Sequence, residues 1–430
     1  MSSKKDEWVA TEGRRVGALG ARARPWARHA AGFGQCLARG RQPALGGLLA
    51  RARVAVLAPH RAGSTSLVIR AVLLQACVAL LLALPAPPAR AALKKGMWGP
   101  VNVNGASQFP VYRELGATVY NTGLNWRNVA GRRPTNARDP RDPAYQWPAG
   151  ISDAVEQAAA YRIQVAIYVT ATPAWANGGQ PPNWVPSNPA DYADFLVAAA
   201  RRYPSVRFWI VWGEPTRAGN FYPIPSRTHP SAPLPQAAKR TVRYYAQMLD
   251  TSYAALKGVS KRKIVIGGNS FTVGDISPLN WIRYLRLPNG RRPRMDLYGH
   301  NPFSARRPRL SERAVVRGYA DFSDLDDLAH WLDRFYGRDP RGKPMRIWIG
   351  EWSVPTDHGS YIFNFWTTRQ VQASWLRAAL RIARSWPRIF AFNWLALYDE
   401  PPRSAGDETN WGLINHTGRR KPAFWVFRRG

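Results

Sequence analysis

The chain has 430 residues, 45% of them hydrophobic and 19 of them tryptophan, which excludes a disordered protein and allows one large domain or two. Both cysteines, Cys36 and Cys77, precede residue 93, so the remainder holds no disulfide and no cysteine-bound metal. The net charge of +34 comes largely from scattered arginines, which fits compositional bias or attraction to an anionic cell-surface polymer, and no dense basic-and-aromatic motif of a nucleic-acid reader is present.

Residues 1–67 are a basic leader rich in Ala, Arg and Gly without a period of 2 or 3.6, and read as disordered. Arg70 then precedes an apolar run, 71–84, followed by PAPPARA, in which Ala89 and Ala91 form an A-x-A-like site before Ala92. Residues 68–91 therefore read as a secretory signal peptide. The run of about 14 residues is short of the roughly 20 needed to cross a bilayer, so cleavage is expected and a retained membrane anchor is the alternative. A signal belongs at the start of a chain, so translation is expected to begin near Val68, with the leader an over-extended reading frame. The product is expected to be secreted or held at the cell surface.

From residue 92 to 430, strand-like apolar runs alternate with helical ones. The strands are read at 97–105 (MWGPVNVNG), 117–124, 164–170, 208–212, 263–267 (KIVIG), 295–298, 346–350 (RIWIG) and 389–395 (IFAFNWL). Helices are read at 152–161, 189–203, 235–257, 323–336 and 367–384, with an eighth supplied by 421–428. Eight such alternations predict a (β/α)8 barrel occupying 92–430 as one domain. An open doubly wound sheet is the rival, but no Gly-rich phosphate loop follows the first strand. The loops 125–150 and 215–234, rich in Pro, Arg, Asn and aromatic residues, suit the walls of a cleft.

Two of the buried strands run into a glutamate. FWIVWGEP brings Glu214 after the fourth strand, where Pro215 cannot donate to a sheet ladder, and RIWIGEW brings Glu351 after the seventh. The carboxyl ends of barrel strands are where chemistry sits, so the two acids predict one shared site. A carboxyl pair suits acetal cleavage, in which one acid protonates the leaving oxygen and a carboxylate faces the oxocarbenium-like carbon. No H-E-x-x-H or similar spacing occurs, so no metal and no cofactor are expected.

With these motifs, residues 96–428 resemble the clan A glycoside hydrolases, the retaining (β/α)8 enzymes that include families 5 and 39. The resemblance lies in Trp212-Gly-Glu-Pro215 after strand four, Gly350-Glu-Trp352 after strand seven, the stretch YQWPAGISDAVEQAAAYRIQVAIYVTATPAWA, His300 after strand six, Trp394 on strand eight and the closing GLINHTGRRKPAFW. It implies a retaining hydrolase of a poly- or oligosaccharide, with Glu214 as acid/base and Glu351 as nucleophile. Three departures stand out. Gly213 replaces the clan's Asn before the acid, Asn121 stands where strand two usually carries an Arg, and His300-Asn-Pro-Phe303 lacks the strand-six Tyr.

Trp175 and Trp394 are candidates for stacking on sugar faces, and Asn269, His300 and Asn121 for lining the cleft. Trp126, Trp352 and Trp366 receive no role. A monomer is expected, and the alternative function is a catalytically impaired barrel that binds cell-surface glycan. The signal reading predicts a mature N-terminus at Ala92; mass spectrometry of the native N-terminus checks it, and peptides from residues 1–60 in the exported protein would overturn the start near Val68.

Overall fold

In the computed structural model, residues 93–360, 365–401 and 409–430 are described. The basic leader and the signal segment lie outside the described residues. Eight parallel strands close into a barrel: β1 Lys94–Trp98, β2 Val119–Asn125, β3 Gln164–Thr170, β4 Phe208–Val211, β5 Ile264–Phe271, β6 Leu297–Asn301, β7 Ile347–Trp352 and β8 Ile389–Trp394. Each strand pairs with its sequence neighbours, and β1 closes the ring on β8 through Lys94↔Ala391 to Met97↔Trp394. The predicted (β/α)8 architecture is therefore the observed one.

Helices α1 Phe109–Glu114, α2 Ala149–Ala160, α3 Pro189–Arg202, α4 Gln236–Val259, α5 Pro278–Tyr284, α6 Leu325–Trp331, α7 Arg369–Ser385 and α8 Pro422–Arg429 follow the strands in turn, with one extra helical turn, Trp126–Val129, directly after β2. Local chemistry fixes several of their starts. Asn188, Ser277 and Thr368 each cap a helix through the side-chain oxygen, and proline opens α3, α5 and α8, where its missing N–H has no helical partner to lose. The sequence reading lacks α1 and α5, which at six and seven residues are too short to display a helical period. The helix read at 323–336 is composite: a tight turn at Phe322–Asp324, then α6, then a wider turn over Leu332–Tyr336.

The first strand also differs from its reading at 97–105. It begins at Lys94 and ends before Pro100, which cannot donate to a ladder. The rest becomes a small hairpin, Asn102–Val103 against Ala106–Ser107, turned by Asn104 and Gly105 with φ of 49° and 79°. Lys95 hides the true start of the strand because lysine is an unusual core residue. Its ammonium is satisfied by the carbonyls of Leu115 at 3.0 Å and Phe427 at 2.7 Å, so one side chain ties the ends of the first and last helices to the first strand. Burial pulls the Lys95 ammonium down to about 8.

Two apolar layers result. Val119, Ala166, Phe208, Ile210, Ile266, Leu297, Trp348 and Ala391 fill the barrel interior, and a larger cluster fills the space between sheet and helices. Each buried Val, Ile, Leu or Phe among them contributes about 1.5–3 kcal/mol. Beyond β8, the segment returning to α8 is pinned by a buried ion pair: Lys421 Nζ lies 2.7 Å from Asp399 Oδ1, with both side chains at 0–1% exposure. Thr356 Oγ1 and the Asn410 carbonyl take the other Lys421 donors, both at 3.0 Å. Among the described residues, no helix is long and apolar enough to cross a membrane.

Lys421→Ala leaves Asp399 buried and unpaired, and is expected to cost about 3–5 kcal/mol in chemical denaturation. An unchanged unfolding midpoint would contradict this account of the pair.

Candidate active site

The carboxyl end of the barrel is shaped by two strand irregularities. Between β5 and β6 the pairing runs from Gly267↔Tyr298 to Ser270↔His300, so β5 carries one extra residue. Between β8 and β7 it runs from Phe392↔Ile349 to Trp394↔Trp352, so β7 also carries one extra residue. A bulge re-aims the side chains beside it, and these two fall at Asn269 and at Glu351. Trp98 Nε1 donates to the Gly350 carbonyl at 2.9 Å, giving the β7 bulge a hydrogen-bond partner.

After β4 the chain turns sharply, with Trp212 and Glu214 in the left-handed region at φ 65° and 44°. Three contacts hold this turn. Tyr192 Oη receives the Trp212 N–H at 3.2 Å, Asn269 Nδ2 donates to the Trp212 carbonyl at 3.2 Å, and Trp212 Nε1 donates to the Asn220 carbonyl at 2.8 Å. Gly213 is pressed against β3: a Cβ there would lie 3.3 Å from the Tyr168 ring and from Thr170 Cγ2. The missing asparagine is thus matched by packing that leaves little room for a side chain.

Glu214 is buried, and its carboxylate is surrounded by donors. Arg217 Nη1 reaches Oε2 at 2.7 Å, Asn220 Nδ2 reaches it at 3.3 Å, and Asn301 Nδ2 reaches Oε1 at 2.9 Å. Arg217 also lies over the Phe271 ring, 4.8 Å from its centroid. Glu351 stands on β7, one residue inside the strand end, and takes no hydrogen bond from the described residues. Burial first, and then the charge of Glu214, push the Glu351 carboxyl up to about 8, while Arg217 opposes the rise. The two acids and Arg217 therefore share one electrostatic site.

The other sequence candidates divide. Asn269 belongs to the site as a brace: it holds the Glu214 turn, and its Oδ1 is 3.2 Å from where a Gly350 Cβ would stand. His300 does not face the cleft. It is fully buried, with Nδ1 2.8 Å from Ser270 Oγ and Nε2 2.9 Å from the Ala320 carbonyl, and burial lowers it to about 4, leaving it neutral. Trp394 is also at 0% exposure, edge-on to Trp352 at 5.6 Å, so neither ring face is open to a sugar. Asn121 is buried in the barrel, donating to Asn393 Oδ1 at 2.9 Å and to the Met97 carbonyl at 3.3 Å. Trp175 lies in the loop wall, its Nε1 on the Ala130 carbonyl at 2.7 Å and one face under the Arg133 guanidinium at 4.6 Å.

Arg217, Asn220 and Asn301 are absent from the sequence reading. Asn301 was within reach of it. Leu297 points into the barrel and Tyr298 packs outside, so the strand period of two puts Asn301 inside and His300 outside. Arg217 and Asn220 gave no signal, being two polar residues in a loop full of them.

No protein-family profile matches this sequence, and no curated protein matches it. Solved structures do resemble the fold. A family 39 glycoside hydrolase from the gut symbiont Bacteroides cellulosilyticus WH2 aligns at TM-score 0.54 and 16% identity, over 79% of this chain and 63% of that one. A monomeric β-xylosidase from Caulobacter crescentus CB15 aligns at 0.53 and 17%, over 80% and 68%. The GH39 enzyme from Xanthomonas axonopodis pv. citri aligns at 0.52 and 16%, over 81% and 67%. The likeness is one of fold, and the chain spans just under two thirds of the first of these proteins.

Two outcomes follow from the geometry. A Gly350→Ala methyl would stand 2.6 Å from Asn301 Oδ1, forcing that amide off Glu214, with an expected cost of about 1–3 kcal/mol in thermal unfolding. The second concerns pH. Glu351 binds its proton more tightly when folded, so its stabilising effect is complete below its ordinary 4.5 and is lost as pH rises through about 8. Glu351→Gln is therefore expected to gain stability relative to the parent as pH rises through that window, and parallel Tm curves would refute the assignment.

Proposed function

We propose that this protein hydrolyses O-glycosidic bonds of an oligo- or polysaccharide by double displacement, with Glu214 as acid/base and Glu351 as nucleophile. One observation carries the reading: two glutamates from β4 and β7 lie within electrostatic reach of each other at the carboxyl end of a closed (β/α)8 barrel. In the first step Glu351 attacks the anomeric carbon as the glycosidic bond breaks, and the Glu214 proton passes to the leaving oxygen. In the second, Glu214 takes a proton from water, whose oxygen attacks the same carbon and releases Glu351. Like-charge repulsion suits this cycle, because it keeps one proton on the pair.

The fold likeness to family 39 structures supports a sugar substrate, and the β-xylosidase among them makes an aryl β-xyloside the first substrate to test. Without the clan's asparagine at position 213, the sugar's 2-hydroxyl has to find its donor elsewhere. The signal read at 68–91 supports an activity outside the cell, where the positive net charge suits anionic glycans. A second reading, a barrel that binds surface glycan without cleaving it, draws on the absence of any described donor to hold Glu351 as a carboxylate.

Glu351→Ala is expected to lower turnover of an activated aryl glycoside by on the order of 10⁴-fold, and azide is expected to restore it as a glycosyl azide. Full activity in Glu351→Ala would exclude the assigned nucleophile. A parent protein that binds oligosaccharide but turns over no aryl glycoside would favour the second reading.

A further inference from the structure

In the cycle proposed above, Glu214 has to carry a proton and Glu351 has to be bare before the first step. The hydrogen bonds of the free protein are distributed the other way. Among the described residues, the three donors at the pair converge on Glu214: Arg217 at 2.7 Å, Asn301 at 2.9 Å and Asn220 at 3.3 Å. Each is worth most to an ionised acceptor, and a guanidinium at this distance makes the strongest of such bonds. A proton on Glu214 would have to point at one of these N–H groups or turn away from them. Glu351 receives no donor from the described residues, so a proton there breaks none of their hydrogen bonds.

We propose that Arg217 is a positioning residue that makes Glu214 the ionised member of the pair and leaves the shared proton on Glu351, so that the free protein rests as the proton tautomer opposite to the one that reacts. This rests on the two-glutamate reading for its catalytic meaning, but not for its observation. The charges that reach Glu351 are Glu214 and Arg217, and Arg217 is faced in addition by Asp275 from the loop after β5. His300 on β6 is neutral and turned away toward Ser270 and Ala320. The elevated proton affinity of Glu351 agrees with this distribution.

Arming the site then takes one internal step. The Glu351 O–H bond breaks, an O–H bond forms on Glu214, and the net charge of the pair is unchanged. Arg217 is placed to permit it. It lies on the loop three residues beyond Glu214, with 47% of its side chain exposed, so its guanidinium has somewhere to go when a sugar enters.

The test uses the whole protein labelled with [13Cδ]glutamate, titrated by NMR without substrate, with resonances assigned through Glu214→Gln and Glu351→Gln. In the parent, the last carboxyl of the pair to lose its proton is expected to be the one missing from Glu351→Gln. In Arg217→Gln, the protonated fraction of Glu214 at neutral pH is expected to rise about tenfold, and Arg217→Lys, which keeps the charge, is expected to recover most of the parent pattern. The proposal is overturned if the last proton leaves Glu214 in the parent, or if Arg217→Gln moves neither resonance in a protein whose other resonances show it folded. None of these readouts needs turnover, so an inactive parent would count against the hydrolase reading alone.

Discussion

The bond between Asn301 and Glu214 is the contact on which the site depends. It joins β6 to the turn after β4, and it exists only because β7 offers a glycine beside it: the Asn301 amide oxygen occupies the space that a Gly350 side chain would need. The same glycine lets Asn269 approach from β5 and brace the Trp212 carbonyl. Four consecutive strands thus meet around one position without a side chain. Gly350 and Glu351 are adjacent in sequence, so the residue that makes room and the residue that faces the gap are set by one local irregularity of β7.

The electrostatics follow from that geometry. Three donors, a guanidinium and two amides, surround the buried Glu214 carboxylate, and the charged one makes the strongest bond. Its neighbour Glu351 takes no hydrogen bond from the described residues, and desolvation and then the charge of Glu214 raise its proton affinity. The asymmetry between Glu214 and Glu351 therefore has a structural cause in which loop the arginine comes from. Asn121 stands on β2 in this chain, and its amide is spent on Asn393 in the barrel interior.

Much of the architecture could be read from the sequence, because parallel barrel strands are buried on both faces and their apolar runs are unmistakable. Phe208–Val211 and Ile347–Trp352 are cases in point; the first leads to Glu214 and the second carries Glu351. What the sequence obscured was local. Lys95 hid the start of β1, since nothing in a lysine announces that two helix-end carbonyls await it. His300 and Trp394 looked like cleft residues because their types are common in sugar sites, but their side chains face the packed layer and not the opening.

By itself the sequence determined the barrel and the positions of two strand-end glutamates, since burial pattern and residue order depend only on neighbours along the chain. Which residues surround those acids was decided by tertiary structure alone. Arg217, Asn220 and Asn301 become a set through the curl of one loop and the inward face of one strand, and Glu351 comes to face them through an extra residue in β7. Such convergence depends on strand register and closure, which a linear pattern does not encode.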